Sequence, residues 1–169
     1  MLKLHDLMRA GSVKRWHLVN TTRTQNNAEH QYGVSILTGE IAGRLGLEPA
    51  DVASLVAAAV VHDAGEARTG DMPSHIKKRL REALGPKFDE IMNQYDMPKP
   101  QGDHVKVIMK CADLLEAMIF LEEHRVGRHA DAALAHLVDD SFAYFDQAGE
   151  AGRIAHRIWS EMQNAKYEI

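Results

Sequence analysis

Val60-Val61-His62-Asp63-Ala64-Gly65-Glu66 closes an alanine- and valine-rich segment in which Val52, Leu55, Val56, Ala59 and Val60 recur at helical spacing. The segment therefore reads as a buried helix. His62 and Glu66 are four residues apart, and Asp63 and Glu66 three apart, so on a continuing helix all three share one face. An imidazole and two carboxylates beside that much aliphatic surface are costly to bury uncompensated. A divalent cation is one compensation. Gly65, Gly70 and Pro73 then break the pattern, where a chain can wrap closely around a ligand.

Outward from this stretch, helix follows helix and no segment alternates like a strand. Leu4, Leu7 and Met8 predict a helix over residues 2–10, with Gly11 as its stop. Residues 12–26 read as a loop, and Asn26 with Glu29 resembles a capping box that opens a helix running to Leu45. Val34, Leu37, Ile41 and Leu45 face inward on it, and Gly46 ends it. Pro49 suits the first turn of the helix expected to carry His62 and Asp63. Ser74 opens a basic helix, Gly85-Pro86 interrupts it, and Phe88, Ile91, Met92 and Tyr95 resume the period. Met97-Pro98-Lys99-Pro100-Gln101-Gly102 is the clearest loop. Three further helices are predicted over residues 103–124, 129–147 and 150–167. The expectation is an all-α fold of six or seven helices, with residues 1–169 as a single domain.

Composition narrows the partners. A net charge of −4 gives no electrostatic footprint for duplex nucleic acid or an anionic membrane. No apolar run approaches the ~20 residues that span a bilayer, and the N-terminus lacks the pattern of a signal peptide. The lone Cys111 fits a reducing cytoplasm. The partner expected is a small molecule, not nucleic acid or membrane.

Four ligand-type residues lie on three of the expected helices: His30, His62, Asp63 and Asp113. Imidazole nitrogen with carboxylate oxygen suits Zn²⁺, Co²⁺, Mn²⁺, Ni²⁺ or Fe²⁺, and three or four protein ligands leave a position for water. Spacing alone does not separate a metal site from polar residues satisfied inside a core.

The wider motif series is more specific. It comprises Lys14-Arg15-Trp16-His17-Leu18, Ala28-Glu29-His30, His62-Asp63-Ala64-Gly65-Glu66, Thr69-Gly70-Asp71-Met72-Pro73 and Lys110-Cys111-Ala112-Asp113. In that order, within residues 14–123, it resembles the HD-superfamily phosphohydrolases. Within them it is similar to bacterial 5′-deoxynucleotidases of the YfbR-like group and to small phage-type deoxynucleoside triphosphohydrolases. The resemblance implies an HD domain holding one divalent transition metal through His30, His62, Asp63 and Asp113, with Mg²⁺ as a companion of a triphosphate. Two-metal relatives that cleave cyclic dinucleotides are expected to carry extra histidines between the HD pair and the last aspartate. Only His75 and His104 stand in that interval here, so a single metal is expected.

Phosphoester hydrolysis needs neutralised phosphoryl oxygens, an in-line water and a proton donor for the leaving oxygen. Glu66 is placed to move the proton of the attacking water. By resemblance Asp71 is a second proton-transfer or positioning group. Arg15 offers a planar donor fork to phosphate, Trp16 a stacking face, and the resemblance carries both into the pocket. Leu18 and Pro73 are candidate apolar walls, and Lys110, three residues before Asp113, shares its helix face. The basic run after Pro73, with Lys77 and Arg79, favours a triphosphate. The first expectation is a triphosphohydrolase of a purine dNTP such as dATP. The alternative is a 5′-deoxynucleotidase acting on dNMPs, and from another class a non-catalytic nucleotide-binding HD module. Related enzymes associate through helical surfaces, and Phe142, Phe145, Trp159 and Met162 exceed what one face needs. A cytoplasmic homo-oligomer is therefore expected.

Overall fold

The computed structural model describes residues 4–92 and 102–165. Among them are nine α-helices and no strand: α1 (Leu4–Ala10), α2 (Asn27–Arg44), α3 (Pro49–Ala59), α4 (Glu66–Thr69), α5 (Ser74–Leu84), α6 (Pro86–Met92), α7 (Asp103–His124), α8 (Arg128–Gln147) and α9 (Gly149–Asn164). The count exceeds the expected six or seven because α4 is a separate helix of four residues and α1 and α6 have seven each. Tyr95, the Met97–Gln101 part of the expected loop and the outer ends of the first and last expected helices lie outside the described residues.

Helix α2 is the centre. It packs on α7 and α3, while α8 and α9 pack on α7 and on each other. Val34 and Ile41 of α2, Leu55 of α3, Ile108 and Leu115 of α7, Phe145 of α8 and Ile154 of α9 form one buried apolar cluster. Asn26 starts α2 as expected: its side chain accepts the Glu29 N–H at 3.0 Å, and Glu29 accepts the Asn26 N–H at 3.3 Å. Phe142, Trp159 and Met162 pack against the same cluster that buries Phe145. The apolar surplus on the last two helices thus closes the core and no longer argues for a partner copy.

The structure corrects one placement. Helix α3 ends at Ala59, so His62 and Asp63 sit in a series of tight turns rather than on a helix face. The His62 ring competes for the carbonyl that would extend the helix, because Nδ1 donates to Ala59 O at 2.7 Å. Gly65 then passes so close to α6 that a Cβ there would lie 2.1 Å from the Met92 carbonyl oxygen. Only glycine fits. The turn thereby delivers His62, Asp63 and Glu66 to one place by a different route.

Residues 11–26 form a loop tied at both ends. Arg15 N–H donates to Gln25 O at 2.9 Å and Asn27 N–H to Val13 O at 2.9 Å, while Thr22 N–H reaches His124 O at 2.8 Å at the end of α7. This holds Arg15 and Trp16 over the junction of α2 and α7.

Two glycines separate close packing from loose. A Cβ at Gly152 would sit 1.9 Å from the Phe145 carbonyl oxygen, whereas at Gly43 it would meet nothing within 4 Å. Gly152→Ala should lower unfolding stability by more than ~2 kcal/mol, since a main-chain carbonyl cannot yield without moving α8 from α9. Gly43→Ala, in an exposed part of α2, should raise it by about 0.5–1 kcal/mol. Denaturant titration of both variants measures the pair.

Candidate functional site

The ligand-type side chains converge where α2, the turn after α3 and the middle of α7 meet. One donor atom each from His30, His62 and Asp113 lies within 4.8 Å of the others, a group that could hold a metal ion. Asp63 joins them: its Oδ2 is 3.6 Å from His30 Nε2 and 3.4 Å from His62 Nε2. Asp113 Oδ1 is 3.3 Å from His30 Nε2.

The donor set fits a metal on its own chemistry. His62 uses Nδ1–H on the Ala59 carbonyl, and His30 uses Nδ1 on the Glu116 carboxylate. Each ring therefore keeps a proton on Nδ1 and turns Nε2 toward the carboxylates, the atom a cation would take. Both Nε2 atoms are buried without a hydrogen-bond partner among the described residues. Buried polar atoms are rarely left so, and a cation would satisfy both at once.

Around this cluster stand the other expected residues, with differences. Arg15 Nη1 donates to Asp63 Oδ2 at 3.2 Å and lies 3.7 Å from Asp71 Oδ1. Its Nε is buried with no partner among the described residues, so donors remain for a phosphoryl oxygen. Glu66 is wholly buried, accepting from Asn27 Nδ2 at 2.8 Å and from Lys77. Lys77 thus turns inward onto Glu66 instead of reaching outward. Arg79 is exposed, and two residues along α5 it projects about 200° round the helix from Lys77. Arg81 pairs with Asp89 at 3.4 Å. The basic run is therefore mostly a solvated face, and only Lys77 of it reaches the site. Lys110 Nζ rests on Asp113 Oδ2 at 2.8 Å, leaving part of its side chain exposed. Trp16 Nε1–H donates to Gln25 Oε1 at 2.9 Å, and its ring stacks on Phe120. Pro73 is half-buried at the head of α5, but Leu18 is 63 % exposed, so the structure does not place it as an apolar wall.

Residues 4–84 match the 5′-deoxynucleotidase YfbR-like family. A dATP triphosphohydrolase of Salmonella phage PMBT28 is 32% identical over 96% of this chain and 89% of its own length. The chain belongs to the HD-domain deoxynucleotide phosphohydrolases. A solved member, the Cyanophage S-2L HD phosphohydrolase DatZ bound to dA and one catalytic Zn²⁺ ion, superposes with a TM-score of 0.80 at 25% identity, covering 96% of both chains. A 5′-deoxynucleotidase of Shewanella oneidensis is 27% identical over 72% of this chain and 73% of its own.

Three residues of this HD site were not singled out in the sequence: Glu116, Gln25 and Asn27, the last buried and bonded to Glu66. Glu116 and Gln25 are both buried; Glu116 accepts from Gln25 Nε2 at 2.5 Å and from His30. The signal for Glu116 was its place three residues after Asp113 on an apolar helix. For Gln25, inside a polar run read as loop, there was none.

The electrostatics divide the carboxyls. Burial would raise the Asp63 carboxyl, but His62, Lys77 and Arg15 hold it below its ordinary value. Burial likewise opposes Asp113, which Lys110, His30 and His62 keep well below that range. Glu66 goes the other way: burial and the neighbouring Asp63 charge push it up, against Lys77 and Asn27. An elevated carboxyl beside two lowered ones is a candidate for proton exchange.

His30 gives a pH test with a definite sign. Burial works against its proton, yet Asp113 and Glu116 outweigh burial and raise its pKa from 6.5 to about 9. In protein kept in chelator, that stabilising charge is fully present below pH 6.5 and is lost as pH rises through 9. A cation at Nε2 must displace the same proton. Apparent Zn²⁺ affinity should therefore climb between pH 6.5 and 9, by up to ~tenfold per pH unit for one released proton, then level. Competition titration against a chelating dye measures it; a flat profile across that window contradicts the assignment.

Proposed function

We propose that this protein is a metal-dependent deoxynucleotide phosphohydrolase cleaving the 5′ phosphoester, with a purine dNTP such as dATP as first substrate, giving deoxynucleoside and triphosphate. The observation carrying the hydrolase reading is the pair of buried, unpartnered Nε2 atoms of His30 and His62 facing Asp63 and Asp113 beside the elevated carboxyl of Glu66. The choice of a triphosphate rests on the phage relatives named for dATP, at 32% and 31% identity, and no longer on the basic run of α5. Cleavage of dNMPs is the alternative, supported by the 5′-deoxynucleotidases among the relatives.

A divalent cation held by His30, His62, Asp63 and Asp113 would supply charge neutralisation and a nucleophilic water near neutral pH. The protein's own groups do the rest. Arg15, pinned between Asp63 and Asp71, directs its free donors at the phosphoryl oxygens. Water attacks the α-phosphorus, the bond from phosphorus to O5′ breaks, and O5′ leaves with a proton. Glu66 takes a proton from the attacking water; Lys77 and Asn27 keep it aimed. Asp71, half-buried beside Arg15, is the candidate for returning a proton to O5′. The indole of Trp16 offers its face to base or sugar. Residues 1–169 form one HD domain on this reading, consistent with the core shared by α2, α3, α7, α8 and α9. No helix among the described residues is long and apolar enough to cross a membrane; the cytoplasm is proposed on the free, buried thiol of Cys111, which fits a reducing compartment. Self-association is a separate proposal, now supported by the exposed Tyr32 and Ile36 of α2; light scattering at the mass of one chain overturns it.

Asp63→Ala should remove bound metal in elemental analysis and abolish turnover, because it deletes a ligand and the anchor of Arg15 together. Lys77→Met should cut kcat on mono- and triphosphate alike by roughly tenfold or more, since it strips a charged partner from Glu66. The deciding assay is a panel of dNMPs, dNTPs and ribonucleotides with Zn²⁺, Co²⁺, Mn²⁺ or Mg²⁺, with phosphate, pyrophosphate and triphosphate separated. Triphosphate from dATP is expected as the main product. Phosphate from dNMPs with little triphosphate would transfer the chain to the nucleotidases, and metal binding with no turnover would leave a nucleotide-binding module.

A further inference from the structure

We propose that Gln25 and Glu116 are positioning residues joining the Trp16 indole to the His30 imidazole in one directed hydrogen-bond string, so that the substrate-side ring and the metal ligand are set as a unit. The inference rests on metal being held at His30, as above.

The direction of the string follows from its first member. An indole N–H can only donate, and Trp16 Nε1 lies 2.9 Å from Gln25 Oε1. That fixes the Gln25 amide with Nε2 turned to Glu116 Oε1, 2.5 Å away. Glu116 accepts there and, with its other oxygen, from His30 Nδ1–H. The imidazole keeps its Nδ1 proton and turns Nε2, the atom a metal would take, to Asp113. The acceptor-only Glu116 carboxylate keeps the proton on His30 Nδ1, and Trp16 fixes which way the Gln25 amide that holds Glu116 is turned. Gln25 is 1% exposed, Glu116 8% and His30 0%, so water does not offer substitutes along the string.

The packing is shaped for it. Gly33 stands one turn after His30 on α2, and a Cβ there would lie 2.7 Å from Glu116 Cγ. Glycine lets the Glu116 side chain pass between the helices. One turn after Glu116 on α7 comes Phe120, whose ring lies 6.0 Å from that of Trp16 at an interplanar angle of 6°. The same face of α7 therefore grips both ends of the string. Trp16 holds a left-handed backbone, φ 59°, which a non-glycine residue keeps only when its surroundings impose it.

The test is Zn²⁺ affinity, by chelator competition, for the unaltered protein and for Glu116→Gln, Gln25→Met and Trp16→Phe, with melting in chelator to establish that each is folded. Glu116→Gln should bind roughly 10–100-fold more weakly, the usual loss for the partner of a ligating histidine. Gln25→Met and Trp16→Phe should each weaken binding in the same direction by a smaller factor, although neither touches a ligand. A merely structural role would move the melts and not the affinity. The indole N–H resonance missing from Trp16→Phe should shift when Zn²⁺ is added to the unaltered protein and stay still in Gln25→Met. Folded Gln25→Met and Trp16→Phe with unchanged Zn²⁺ affinity, or an indole signal unmoved by Zn²⁺ in the unaltered protein, overturn the string and leave the metal reading standing. No Zn²⁺ bound by the unaltered protein overturns both. If Glu116→Gln does not fold, the other two variants and the resonance decide.

Discussion

The imidazole of His30 is completely buried, with carboxylates at both of its ring nitrogens, Glu116 at Nδ1 and Asp113 at Nε2. Charges and dipoles removed from water in this way are tolerable only when each finds a partner. Both carboxylates stand on α7 and the ring on α2, so the crossing of the two helices is fixed by polar geometry as much as by the aliphatic contacts around Val34 and Leu115. Displacing either helix would leave a buried charge uncompensated. The large core formed by α8 and α9 against α7 holds that crossing in place.

Two irregular segments complete the site, and each is irregular for a stated reason. The turn at residues 60–65 exists because the His62 ring occupies the Ala59 carbonyl and because Gly65 lies against the backbone of α6. The loop at residues 11–26 is stitched to the start of α2 and the end of α7, which suspends Arg15 and Trp16 above the ligands. Rigid helices thus supply His30, Asp113 and Glu116, while pinned non-helical backbone supplies the groups that must approach substrate.

Charge is distributed by the same logic. Asp63 and Asp113 are held below the ordinary carboxylate range by the cations and imidazoles beside them, the state that the proposed metal ligation requires. Glu66, deeper and next to Asp63, is raised. One pocket therefore holds carboxyls of two kinds, two held low and one raised, and Lys77 pairs with the raised Glu66 rather than facing solvent.

The sequence by itself determined the all-α fold, because helical periodicity and its stops at Gly46 and Gly85 are local properties of the chain. It also determined the capping box at Asn26, formed by neighbours three residues apart. Through the ordered motif series it determined which ligand-type residues to watch. The end of α3 at Ala59 was not legible, since it depends on where the His62 ring points and on what Gly65 meets in α6. Nor was the inward turn of Lys77: a run of lysines and arginines looks uniform until a buried carboxylate selects one of them. Glu116 and Gln25 were hidden for the same reason, because a partner's value lies in distances to residues 86 and 9 positions away in sequence, from Glu116 to His30 and from Gln25 to Trp16. Periodicity reports which face a residue occupies; only the tertiary structure decided what stands opposite it.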